Sequence, residues 1–553
     1  MGVANYKAMR ISGATEDKPN DFNLDQVYDL GFRSFGTPPK PILDQPAVMD
    51  KIDAGTTIHA SNGVITYTFL DKSHLVGLYN NPTAGFEAAF GLSTYTPAQE
   101  AAARAAIHLW DDLIPQTFRE TNGMGADIVF ANSLDPAQAY AYFPGSRGWK
   151  FQSDVFTNDP NNVEAGNWTN NWFSNLGYGN TTLVHELGHT LGLSHPGAYN
   201  FGQDLDGDGE PDDITYDNFA EYAQDSNQYT IMSYFDGGET GARVVNWNAL
   251  LLSNPQTPML HDIMTIQAKY GADLTTRVDD TVYGFHANAG NAIYDFGQNP
   301  YPYLSIYDAG GEDTIDLSGF TISQFIDLHP GSFSSIGGGL PSAAAANAYL
   351  DNIVAIGGPD LGDYDQAAWN SVMTQFRTAN ANSIAADQQF LGQAPVAGIF
   401  TSEYQNVSIA YGTIIENAIG GSARDLIHGN DYDNILQGLG GNDVIRGFGG
   451  NDIIDGGAGA DVLTGGAGND TFAFNNIEIG DLITDFGSAD TIDLSGLGTD
   501  LHFIGDSAFS GALGEVRYAG GVLSANLGGD IAADFSVTLT GAPTIHPDQI
   551  AFH

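Results

Sequence analysis

The chain has 553 residues, with 67 Asp plus Glu against 18 Lys plus Arg, a formal charge of −49, and no Cys. At ~150 residues per domain it holds more than one domain, its hydrophobic content fits a globular chain, and its charge excludes nucleic acid as a partner and calls for neutralising cations. Without Cys there are no disulfides or thiol nucleophiles, so any metal must be held by His, carboxylate, Tyr or backbone oxygen.

The opening stretch, MGVANYKAMRISGATEDKPN, lacks the apolar core of a secretory signal peptide and by itself suggests a cytosolic protein. No run of about eighteen apolar residues offers a membrane span anywhere. Thr96, Pro97 and Gln99 predict a helix to about Leu113, with Thr96 as cap and Gln99 completing a capping box. Ala103, Ile107 and Trp110 give it a buried face. ADIVFA at 126–131 and AYAYF at 139–143 predict strands.

TTLVHELGHTLGLSHPG, 181–197, carries the chemistry. His185 and His189 are four residues apart, roughly 40° around a helix, so both imidazoles leave one face. Continued as a helix, the segment would turn His195 roughly 240° away from His189, so it must end, and Gly192 is where it can. The turn then returns His195 as a third ligand. Three neutral imidazoles suit zinc and leave a position open for water. Glu186 can take the proton of that water as it attacks a carbonyl. A core helix that happens to carry three His is the bland alternative, disfavoured because burying three His and a Glu unpaired is costly.

Further along, DLDGDGEPDD places Asp204, Asp206, Asp208 with Gly209, and Asp212 as in an EF-type calcium loop, though position twelve is Thr215 instead of Glu. An extra calcium site is expected there, against the alternative of a solvated acidic turn.

From about residue 270 the chain reads as mostly β. DTIDLSG occurs at 313–319 and again at 490–496 with the alternation of half-buried strands. Between them, residues 338–404 form an Ala-rich insert, with AAAANAYLDNI and QAAWNSVMTQFRTA spaced more like helix than strand; no function is assigned to it. Gly420 to Ala473 divides into six nonapeptides: GGSARDLIH, GNDYDNILQ, GLGGNDVIR, GFGGNDIID, GGAGADVLT and GGAGNDTFA. The sixth column is Asp425, Asn434, Asp443, Asp452, Asp461 and Asp470; the eighth is Ile427, Leu436, Ile445, Ile454, Leu463 and Phe472. Each glycine-rich half predicts a turn whose carbonyls and Asp face a cation, and each apolar half a short strand with one inward side chain. Two nonapeptides make one coil, so Asp443 and Asp461 should share one edge and Asp452 and Asp470 the other. Hard oxygen ligands favour calcium, with Gly421, Gly441, Gly450, Gly457, Gly459, Gly466 and Gly468 joining the column Asp residues. A flexible Gly-rich linker would need neither phased column.

The repeats resemble the repeats-in-toxin calcium β-roll. The zinc motif resembles the metzincin metalloproteases, a similarity that extends to YTIMSYF with Met232 at the Met-turn. Tyr234 matches the tyrosine that in the serralysin family binds zinc at rest and swings to assist the oxyanion. Serralysin similarity runs from the helix near Thr96 to the last residues, through LSHPGAYN, TTRVDDTVYGF, YDAGGEDTIDLSGF and GTIIENAIGGS. By position it implies calcium ligands at Arg277, Asp279, Thr281, Asp308, Gly310, Gly311, Asp313 and Glu416, several through carbonyls. AYAYFP resembles the family's edge strand, which pairs with an extended substrate.

The resemblance implies an α+β metzincin catalytic domain over 51–268 and an all-β parallel β-roll or β-sandwich domain over 269–553. It leaves 1–50 as an N-terminal segment that fits a propeptide. DFSV, 534–537, and the apolar ending resemble the uncleaved signal of type I secretion, which reverses the cytosolic expectation. The implied function is a secreted zinc endopeptidase whose roll folds on meeting extracellular calcium. Its implied partners are protein substrates, the type I secretion machinery and a proteinaceous inhibitor, and it is expected to be a monomer. A non-enzymatic calcium-binding surface or adhesion protein would explain the repeats and acidity but not the zinc motif. A zinc hydrolase of non-peptide bonds is disfavoured by the Met-turn and edge strand.

Overall fold

The computed structural model describes residues 40–71, 91–122, 125–134, 138–145, 153–160, 172–173, 177–200, 213–246, 251–252, 254–355, 360, 362–477, 479–498 and 500–552. Helix α1 (Gln45–Ile52) starts at Asp44, whose carboxylate accepts the Ala47 N–H at 3.0 Å, and buries Val48, Met49 and Ile52. It spans residue 50, so the expected edge of the N-terminal segment falls inside a packed helix.

Five strands follow: β1 (Val64–Phe69), β2 (Thr117–Glu120), β3 (Ile128–Ser133), β4 (Ala139–Ala141) and β5 (Ser153–Asn158), with helix α2 (Pro97–Asp111) between β1 and β2. They form one sheet in the order β2-β1-β3-β5-β4. All pairings are parallel except β4 with β5, where Tyr140 faces Phe156. Every residue of β3 and β5 is buried, as expected of central parallel strands covered on both faces. The capping box predicted for α2 is present, and Ala103, Ile107 and Trp110 are buried. Trp110 reaches helix α3 (Tyr178–Thr190), its indole N–H donating to the Val184 carbonyl at 3.1 Å. Helix α4 (Leu260–Tyr270), which packs on α1, ends this half of the molecule.

The second half is built on two mainly parallel sheets stacked face to face, with a smaller three-stranded sheet beside them. One holds eight strands from Val282–Gly284 to Ile550–Ala551, with both DTIDLSG copies in it; the other holds nine. Successive repeats alternate between the sheets, so residues eighteen apart pair: Ile427 with Ile445 and Ile445 with Leu463 in one, Leu436 with Ile454 and Ile454 with Phe472 in the other. All six are fully buried between the sheets, as the eighth column predicts.

The Ala-rich insert is helical as expected, forming α5 (Ala343–Ala355) and α6 (Gln366–Phe390). Ile384 of α6 packs with Val396 and Ile399 against Leu426 and Val444, on the outer face of the nine-stranded sheet. Arg243, from the first half, donates to the Asn380 and Ser383 side chains of α6. Among the described residues no helix is long and apolar enough to cross a membrane.

Candidate active site and metal centres

Helix α3 stops at Thr190, and Gly192 turns the chain with φ of +87°. A Cβ at Gly192 would lie 2.0 Å from the Thr56 carbonyl, so only glycine fits this crossing. The turn is pinned from outside: Ser194 and Ala54 exchange backbone bonds with Ile52 and Gly192. His195 thereby returns to the helix. Its Nε2 stands 3.3 Å from that of His185 and 3.1 Å from that of His189.

Each ring is oriented by its other nitrogen. The Nδ1 atoms of His185, His189 and His195 face the carbonyls of Ile231, Leu193 and Tyr199 at 2.7, 2.7 and 3.0 Å. A carbonyl only accepts, so each Nδ1 carries the proton and each Nε2 presents a lone pair. Burial holds the rings neutral, pushing His185 down to about 4, His195 to about 3, and His189 well below its ordinary value. Three lone pairs converging without a proton repel one another unless a cation lies between them. Ligands 2.0–2.1 Å from a tetrahedral zinc stand roughly 3.3 Å apart, close to the 3.3 and 3.1 Å that separate His195 from the other two. The donor set therefore fits zinc.

Glu186 is buried beside this centre, with one carboxylate oxygen lacking a hydrogen-bond partner. Burial pushes its carboxyl up to about 8, and a cation among the imidazoles would bring it down. Tyr234 is 40% exposed, its ring centre 4.4 Å from that of His195. Met232 is fully buried beneath Gly188 of α3.

The segment 230–235 is held by two buried carboxylates. Asp262 accepts the Thr230 hydroxyl and the Ile231 and Met259 N–H groups; Asp225 accepts the Ser233 and Tyr199 hydroxyls. Burial pushes Asp262 up to about 6 and Asp225 up to about 7.

In the roll, the two Asp columns occupy opposite edges. The N–H of Asp425 donates to Asp443 Oδ1 and that of Asp443 to Asp461 Oδ1, each at 2.7 Å; on the other edge Asp452 donates to Asp470 at 3.0 Å. The second oxygens of Asp443 and Asp452 are buried without a hydrogen-bond partner, as a site built for a cation requires. A Cβ at Gly459 would lie 1.4 Å from the Gly441 carbonyl, and one at Gly468 1.7 Å from that of Gly450. Beside the roll, Thr281 N–H donates to Asp313 Oδ1 and Asp313 N–H to Glu416, both at 2.8 Å, and Gly310 N–H donates to Asp308 at 2.9 Å. Asp313 Oδ2 is buried without a hydrogen-bond partner. Both clusters fit calcium.

Residues 272–364 and 396–551 match the family described as Peptidase M10 serralysin C terminal. The chain is 35% identical over 543 residues to metallopeptidase AprA of Pseudomonas marginalis, covering 95% of this chain and 94% of the relative. Metalloprotease AprA of Pseudomonas entomophila is 34% identical, with 94% and 92% covered. The match to serralysin of Proteus mirabilis, 35% identical, covers 62% of this chain and 56% of that relative.

The chain belongs to the serralysin family.

The family is one of metalloendopeptidases, and in this chain His185, His189 and His195 are brought together. Arg277 takes a left-handed backbone, φ +50°, while its guanidinium turns away to Asp112 at 2.7 Å. Asp204, Asp206, Asp208 and Asp212 lie outside the described residues; Thr215 caps the short helical turn Tyr216–Phe219. The serralysin-family match skips 365–395, the stretch that forms α6. Sequence reasoning missed two members of the Asp columns: Asp481 Oδ1 accepts the Asp461 N–H at 2.9 Å, and Asp490 Oδ1 accepts the Asp470 N–H at 3.2 Å. Both stand twenty residues on instead of eighteen, so a strict nonapeptide count stops short of them. The second DTIDLSG, which opens with Asp490, was the available signal.

Proposed function

We propose that this chain is a secreted, zinc-dependent endopeptidase that hydrolyses peptide bonds of protein substrates, with a C-terminal roll that calcium folds after export. The observation that carries this reading is the meeting of three carbonyl-anchored imidazoles beside the buried Glu186. His185, His189 and His195 would hold zinc, with Tyr234 joining them at rest. Bound there, zinc supplies Lewis-acid charge that acidifies water and polarises a scissile carbonyl. Glu186 takes the proton of the attacking water and passes it to the departing amine. Tyr234 donates its phenolic O–H to the developing oxyanion. β4, at the sheet margin, offers backbone groups to an extended substrate by strand addition. Its neighbour Phe143 packs edge-on against His189, rings 5.4 Å apart.

Residues 51–268, with helix α1 packed across their first boundary, would form the catalytic domain and 269–553 the roll domain. The Asp columns and the Asp308, Asp313 and Glu416 cluster would hold calcium, which fills sites of this kind at extracellular concentrations. The roll would stay unfolded inside the cell, and DFSV supports export by type I machinery. A proteinaceous inhibitor is a candidate partner, and the chain is expected to act as a monomer. Glu186→Ala tests the reading: zinc should stay bound at one per chain and the circular dichroism unchanged, while casein cleavage is lost. Retained cleavage rejects the role of Glu186, and wild-type cleavage that survives removal of zinc rejects the mechanism.

A further inference from the structure

We propose that Asp225 is a positioning residue for catalysis, tying the turn that carries His195 to the turn that carries Tyr234 and so fixing where the phenol stands. The proposal rests on the reading of Tyr234 given above. Asp225 is fully buried, and its Oδ1 accepts two hydroxyls, from Tyr199 at 2.8 Å and from Ser233 at 2.7 Å. The first arm runs to the metal centre: the Tyr199 ring lies parallel to that of His195, 5.6 Å away and 9° from coplanar, and its carbonyl takes the His195 Nδ1–H. The second arm runs to the phenol. Ser233 precedes Tyr234, and its Oγ accepts the Phe235 N–H at 3.0 Å, so that one hydroxyl shapes the backbone on both sides of Tyr234.

Tyr234 is partly exposed, and its ring lies 5.2 Å from Tyr199 and 4.4 Å from His195. Its place is therefore set by the turn beneath it, which Asp225 holds through Ser233, and by the rings of His195 and Tyr199, the second of which Asp225 also holds. Asp225 Oδ2 has no hydrogen-bond partner. A buried carboxylate half left unsatisfied is a poor choice for stability alone, but an oxygen shared between two hydroxyls fixes both in one geometry. Misplacing a group by about 1 Å can cost a hundredfold in rate, which gives such a tie its leverage.

The test is a double-mutant cycle in the full-length, zinc- and calcium-loaded protein. Asp225→Asn, Ser233→Ala and Tyr234→Phe are made singly and in pairs, with kcat and KM read on a quenched fluorescent peptide. Zinc retention is read against a chromogenic chelator. Asp225→Asn should lower kcat about tenfold, keep KM within about twofold, and cost less than about twofold more in the Tyr234→Phe background. Zinc retention should stay within about threefold of the parent. Losses that multiply between Asp225→Asn and Tyr234→Phe overturn the proposal, as does a change confined to zinc retention or KM. Should Asp225→Asn fail to fold, the Ser233→Ala cycle with Tyr234→Phe decides by the same criterion. If Tyr234→Phe alone leaves kcat intact, the assignment of Tyr234 falls and this proposal with it. If Tyr234→Phe loses kcat but the losses multiply, only the proposal falls.

Discussion

Gly188 sits on Met232 so closely that a Cβ at the glycine would lie 2.6 Å from the methionine sulfur and 3.3 Å from the Trp110 ring. Ala in place of Gly on an open helix face stabilises by roughly 0.5–1 kcal/mol. Here overpacking sets the sign, at about 1–3 kcal/mol of destabilisation. Gly188→Ala should therefore lower the urea midpoint and loosen zinc, because α3 carries two of the imidazoles away from Met232. A midpoint equal to or above the parent's would show that the sulfur yields freely.

Arg277 is one clasp between the two halves. Its Nη1 donates to Asp112, just past the end of α2, at 2.7 Å, and its Nη2 to the Tyr307 carbonyl at 2.6 Å. The guanidinium is nearly buried, while Asp112 can rehydrate. Arg277→Met should cost about 1–3 kcal/mol, chiefly through lost bonds of a buried fork. Asp112→Asn should cost less. Guanidinium unfolding at saturating calcium ranks the two, and the reverse order would contradict the assignment.

The meeting of the three imidazoles was legible because the code is local: a four-residue spacing places His185 and His189 on one helix face, and one glycine ends the helix before His195. The roll was legible because glycine, Asp and aliphatic columns repeat in phase. What lay hidden is long-range. Asp262 reaches back to Thr230 and Asp225 reaches both Tyr199 and Ser233, contacts with no sequence period to announce them. Helix α1 was likewise overlooked, since Val48, Met49 and Ile52 form an ordinary apolar stripe whose value comes only from the neighbours it meets.

A histidine in the roll should give the calcium-loaded protein a decline in stability at alkaline pH. Burial opposes charge on His329, but the Asp327 carboxylate at 2.7 Å outweighs it and raises the histidine's pKa. Beside them, Arg446 donates to His428 Nε2 at 2.7 Å, so buried His428 stays neutral. A raised folded-state pKa gives stability that is whole below the unfolded value of ~6.5 and is lost as pH climbs through the folded value. The slope reaches at most about 1.4 kcal/mol per pH unit. His329→Gln should be less stable than the parent at pH 6, with the gap closing by pH 9. Calcium-saturated denaturation curves at the two pH values check this, and a constant gap would contradict it.

Stripping calcium should reverse the usual relation between acid and folding in the roll. Burial pushes the carboxyls of Asp425 and Asp452 up to about 7 and that of Asp443 up to about 9, with like charges along the edge adding to the effect at Asp443 and Asp452. In the unfolded chain the same groups titrate near ~3.9. Because the folded values are the higher ones, their contribution is whole below ~3.9 and drains away as pH rises through 7 and then 9. Calcium-free protein, prepared by chelation and desalting, should keep its β signal in circular dichroism near pH 4 and lose it toward pH 8. With calcium bound, the carboxylates are compensated and the signal should hold across that span. Calcium-free protein that gains β signal as pH rises would mean that the buried Asp columns do not oppose folding, and the need for a cation between the coils would go with them.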